Sequence, residues 1–118
     1  MGLRELAVRK GTSRHIESEL YSYHATKQEI VRLQNGSYPG TALTVSRLLE
    51  SLLCIVAAIK KVYEALPEEK QRFMRLKFWA GKDQTWDALS AELATHRNIL
   101  IKWQKEIIFA VAFELGWR

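Results

Sequence analysis

Apolar residues recur along this chain at helical spacings, and a few clusters of turn-forming residues divide them into runs. Over residues 13–34, Ile16, Leu20, Tyr23, Ile30 and Leu33 return at intervals of three, four or seven, the one-sided pattern of an amphipathic helix. Asn35-Gly36-Ser37-Tyr38-Pro39-Gly40 concentrates turn formers around a proline and reads as a linker. A second helix is predicted over residues 44–65, where Val45, Leu48, Leu49, Leu52, Ile55, Val56, Ile59, Val62 and Tyr63 form a broad apolar stripe. A stripe that wide needs cover on more than one side. It is either the pillar against which the other helices pack or the seam of a pairing with a second copy, and spacing alone does not choose. Leu66-Pro67-Glu68-Glu69 marks the next boundary, because proline suits the first helical position and acids complement a helix N-terminus. The third helix should start at Pro67 and reach about Ala80, carrying Phe73, Leu76 and Phe78 or Trp79, with Gly81 as its C-cap. The first dozen residues, basic and broken by Gly11, read as a partly ordered arm.

Residues 85–103, TWDALSAELATHRNILIKW, carry the most specific pattern. Leu89, Leu93, Leu100 and Trp103 are the positions that must face inward if two short helices cross steeply, and Ser90 and Ala94 are small where they would cross. Thr85 is a good N-cap with Asp87 in the first turn, and Thr95 or His96 could cap the following helix. The turn between is about three to four residues, as a helix-turn-helix requires. With that inward set fixed, Arg97, Asn98, Ile101, Lys102 and Lys105 fall outward, with no acid before Glu106. A helix of this kind can enter a major groove with Arg97 and Asn98 at the end where base edges are read and Lys102 and Lys105 within reach of phosphates, and the same spacing also fits a solvated face on an ordinary helical hairpin. The pattern Ile107, Ile108, Val111, Ala112 and Leu115 carries this helix on to Gly116. About five helices and no strand result, an all-α fold.

Composition narrows the picture without redirecting it. At 118 residues, 47% hydrophobic and 26% charged, the chain has a globular profile and enough length to bury a core without covalent help. Its net charge of +5 suits a polyanionic partner, but the excess is spread evenly along the chain. The local run in the hairpin's second helix is the informative one. A single cysteine, Cys54, permits no intramolecular disulfide and no zinc cluster. The start MGLRELAVRKG lacks the apolar core of a secretory signal, Leu6 spoils a myristoylation pattern, and the longest uninterrupted apolar run is short of a membrane span. A cytoplasmic location is expected.

Three blocks of sequence resemble the RinA/ArpU-type phage transcriptional regulators. LYSYHATKQEIVRL (residues 20–33) is similar to that family's N-terminal helix, and IKKVYEALPEEKQRFMRLKFW (residues 59–79) to the segment preceding its hairpin. The third block is W-x-x-L-S-x-x-L from Trp86 followed by RNILIKWQKEIIFAVAFELGW (residues 97–117). The resemblance spans most of the chain. It implies a phage promoter region as the DNA bound, activation of late or packaging genes through host RNA polymerase, and a C-terminal half similar to the promoter-reading domain of sigma factors. The chain departs from many relatives at His96, where Ser is common, and at Ile99, where Thr is common, so the base sequence read is expected to differ.

The organisation expected is an arm and N-terminal helical pair over residues 1–66, serving packing and dimerisation or polymerase contact, then a DNA-binding unit over residues 67–118. Its DNA-binding set is Lys82, Thr85, His96, Arg97, Asn98, Ile101, Lys102 and Lys105. Trp79, Trp86, Trp103 and Trp117 fall on inward faces and read as core. His15, His24 and His96 are too scattered for a metal site, and no nucleophile–base pair, phosphate loop or carboxylate pair suggests catalysis, so neither enzyme activity nor a cofactor is expected. Two alternatives stay open: a small terminase-like DNA-packaging subunit, and a helical adaptor that binds only protein through the stripe from Val45 to Tyr63.

Overall fold

The computed structural model describes residues 8–36 and 40–118. Six helices make up the described chain: α1 (Lys10–Tyr21), α2 (Tyr23–Gln34), α3 (Ala42–Ala65), α4 (Glu68–Phe78), α5 (Trp86–Leu93) and α6 (Arg97–Leu115). The all-α class expected from the periodicity is the one observed. The count is six because the run over residues 13–34 breaks at Ser22. Trp79 supplies a physical reason: its Nε1 donates to the Leu20 carbonyl at 2.9 Å, claiming a helical acceptor where α1 gives way to α2. A side chain inserted into a helical hydrogen-bond ladder is a recognised cause of a kink.

Of the expected N-terminal arm, residues 1–7 lie outside the described residues, and the rest is already helical from Lys10, with Gly11 in the first turn. Residues 37–39 of the expected linker also lie outside them. α3 begins where Thr41 caps it, its hydroxyl accepting the Thr44 amide at 3.2 Å, and ends at Leu66, whose extended backbone is what a following proline imposes. Pro67 precedes α4 as its capping residue, so the helix itself starts at Glu68, and both first-turn acids stand where the helix dipole favours them.

One core joins helices from both sides of Pro67. Ile16 and Leu20 of α1, Ile59 of α3, Phe73 and Met74 of α4, Leu89 of α5 and Leu100, Ile107 and Val111 of α6 are all essentially fully buried in it. Phe73 sits at its centre, with the rings of Phe78, Trp86 and Trp103 between 6.0 and 6.4 Å away. All four tryptophans are partly buried and pack against this core. Trp79 lies in a second aromatic group with Tyr23 and Tyr63, at 5.1 and 5.2 Å. Burial lifts the Tyr23 phenol above its ordinary pKa, with Glu64 adding to the effect.

The broad stripe of α3 is shared unevenly. Its buried residues are Ile55, Ala58, Ile59 and Val62, all in the second half. α3 also packs on α2, where Ile30 and Leu33 are buried, yet Leu43 and Leu53 in its first half are exposed. By length and composition α3 alone among the described helices is long and apolar enough to cross a membrane. Arg47 and Glu50 interrupt its apolar run, so no unbroken span stands out in the sequence.

Candidate nucleic-acid interface

α5 and α6 are two helices joined by a short turn, which local hydrogen bonds determine. Thr85 caps α5, its hydroxyl accepting the Ala88 amide at 3.1 Å. Ala94 ends the helix in the left-handed conformation, φ 50° and ψ 42°, a backbone state that a residue with a Cβ adopts at a cost. Surrounding bonds compensate: the Ser90 hydroxyl donates to the Thr95 carbonyl at 2.7 Å, the Thr95 amide to the Ser90 carbonyl at 3.2 Å, and the Thr95 hydroxyl to the Leu93 carbonyl at 3.0 Å. Ser90 is therefore small and polar for the sake of the turn as well as the crossing. His96 caps α6, its Nδ1 accepting the Asn98 amide at 3.1 Å. That bond needs an unprotonated Nδ1 and leaves Nε2 facing away from the cap.

α6 presents two contrasting sides. Leu100, Ile107 and Val111 are buried in the core. Opposite them Asn98, Lys102 and Lys105 succeed one another at intervals of four and three residues, all exposed, forming a polar crest. Among the described residues neither lysine has an ion-pair partner, and neighbouring acids are engaged elsewhere: Glu106 with Lys70 at 3.4 Å and Glu92 with Arg72 at 3.7 Å, both toward α4. The crest is thus positive locally although the whole protein is only mildly so.

The remaining expected residues fall around this crest in three ways. Arg97 is exposed but pairs with Asp87 of α5 at 3.5 Å, an interaction between two solvated groups that contributes at most about 1 kcal/mol. Ile101 is half-buried, while Ile99 is 46% exposed, so the more available apolar side chain is the one that spacing did not place in the set. The two lie on opposite flanks of α6, about 100° to either side of Leu100. Lys82 is exposed in the α4–α5 loop, and Thr85 is exposed at the start of α5.

A cleft of about 920 Å³ runs beside the crest between α1 and α6, bordered by Arg14 and Glu17 on one wall and Lys102, Lys105 and Phe109 on the other. Gln104 spans its base, its amide donating to Glu17 at 2.7 Å. Arg14 is a basic neighbour of the crest that sequence reasoning missed, since nothing local in α1 signals that it faces α6. At the far end, Gly116 closes α6 in the left-handed conformation while the Trp117 amide returns to the Ala112 carbonyl at 2.9 Å. Trp117 stacks on His15 at 4.9 Å, and Thr12 donates to the Arg118 carbonyl, so α1 is tied to the segment that follows α6 at this end of the cleft.

Among the described residues no three His, Cys, Asp or Glu side chains come together in a way that would hold a metal ion. Comparison with protein-family models, with curated proteins and with solved structures finds no match to this chain.

Proposed function

We propose that this protein binds double-stranded DNA in a sequence-specific manner through α6 and regulates transcription. The observation that carries the reading is the pairing of a tightly specified α5–α6 turn with an exposed, uncompensated crest of Asn98, Lys102 and Lys105. An α-helix presented on one side in this way fits a major groove. Asn98, one residue into the helix, has the bidentate chemistry that suits adenine, and Lys102 and Lys105 suit phosphate. Lys82 and Thr85 flank the same end of the hairpin, and the outward Nε2 of His96 is a further donor. Arg97 joins the contact by exchanging Asp87 for a base or phosphate. The resemblance of the sequence to phage late-gene activators supports an activating role at a phage promoter, with host RNA polymerase as the second partner.

Selection of bound sequences from random duplexes tests the reading. Enrichment of a motif is expected, with Asn98→Ala costing about 1–3 kcal/mol on it and relaxing preference at one base pair, and Lys105→Ala weakening every sequence alike. Asp87→Asn should leave binding intact or strengthen it, since it frees Arg97 and removes a negative charge. Selection that enriches nothing, or Asn98→Ala losing equally on selected and random duplexes, would overturn sequence-specific reading.

A further inference from the structure

One row of α3 is left uncovered by the other described residues. Leu43, Arg47, Glu50 and Cys54 succeed one another at intervals of four, three and four residues, a spacing that keeps side chains on one seam of a helix. All four are exposed, Leu43 to 62%, and among the described residues neither Arg47 nor Glu50 has an ion-pair partner. The row is also symmetric in its chemistry. About the midpoint between Leu48 and Leu49, Leu43 lies as far to one side as Cys54 to the other, and Arg47 as far as Glu50. Ser46 and Ser51, both small and exposed, are equidistant from the same point.

We propose that this face pairs with the same face of a second copy, antiparallel across a two-fold axis near Leu48–Leu49. In that register Leu43 meets the partner copy's cysteine, and Arg47 meets its glutamate, with each contact made twice as an isologous interface requires. Small serines at the flanks let the two helices approach to the 8–10 Å of packed helices. Parallel pairing would set arginine on arginine and glutamate on glutamate, so charge selects the antiparallel orientation. A lipid surface fits the same helix less well. The second half of α3 is locked in the core by Ile55, Ala58, Ile59 and Val62, and the uncovered row carries both signs of charge.

Light scattering and sedimentation of the full-length chain, without DNA, measure the pairing. The wild-type protein should be dimeric and should dissociate more readily in high salt. Arg47→Glu should weaken association about 100-fold by opposing like charges, and the double swap Arg47→Glu/Glu50→Arg should restore it, which separates loss of pairing from loss of folding. Under oxidation Leu43→Cys should yield a covalent dimer and Leu43→Cys/Cys54→Ser should not. A monomeric wild type, a dimer indifferent to Arg47→Glu, a Leu43→Cys dimer that fails to cross-link, or co-sedimentation with phosphatidylglycerol-containing vesicles in place of self-association would each overturn the proposal.

Discussion

Between Ala42 and Cys54, α3 buries none of its residues, although Leu43, Leu48, Leu49, Leu52 and Leu53 lie there; between Ile55 and Ala65 it buries four. The buried residues of the second half share the main core with residues of α1, α4 and α6, and no residue between Ala42 and Cys54 belongs to that core. Apolar content is similar in the two halves, so the difference is made by what packs against them. A hydrophobic run locates a helix; it does not say which stretch of the helix is covered, because that depends on where distant segments return.

The largest expected contrast follows directly. Ile59→Ala should destabilise the fold by about 2–5 kcal/mol, as deletion of fully buried aliphatic atoms does, whereas Leu53→Ala, measured at dilution, should change it by less than about 0.5 kcal/mol. Denaturant unfolding reads both, and equal losses would break the distinction. Amide exchange should divide α3 in the same way, with protection approaching the global value over residues 55–65 and lower protection over residues 43–54.

Smaller effects are expected from single contacts that tie other elements together. Trp79→Phe removes the hydrogen bond to the Leu20 carbonyl and should cost about 1 kcal/mol. Faster exchange at the α1–α2 junction should accompany the loss; unchanged exchange there would show that Ser22 breaks the helix unaided. Within the hairpin, Ala94→Gly should stabilise the protein by about 0.5–1 kcal/mol by relieving the left-handed strain, detectable as a rise in Tm. The smallest change is expected for Lys61→Ala, which removes a largely exposed ion pair to Glu114 at 3.0 Å and should cost no more than about 0.5 kcal/mol at physiological salt.

Much of this architecture was legible in local signals. Thr85 and His96 could be recognised as caps, Leu89 and Leu100 as the inward pair, and Gly116 as the end of α6, because capping and periodicity act within a few residues of chain. What escaped depends on contacts made across the fold. The kink at Ser22 lies opposite Trp79, which is 57 residues further along the chain. Arg97 reads as free in α6 and is paired only because α5 brings Asp87 to it. Ile99 and Ile101 are indistinguishable by spacing, and Arg14 reaches the crest only through the packing of α1 on α6. The broad stripe of α3 did announce that it needs more than one neighbour.

The continuity of α3 also makes it a phase-setting shaft. Its 24 residues form a rod of about 36 Å with no break between the uncovered row and the core. Each residue of helix turns the chain by about 100°, so one residue inserted between Cys54 and Ala57 would rotate the outer half by that angle relative to α6. Seven inserted residues would return nearly to the original phase while moving the outer half about 10 Å outward. Angular register and reach in this protein are therefore separable by insertion length, because a single uninterrupted helix determines both.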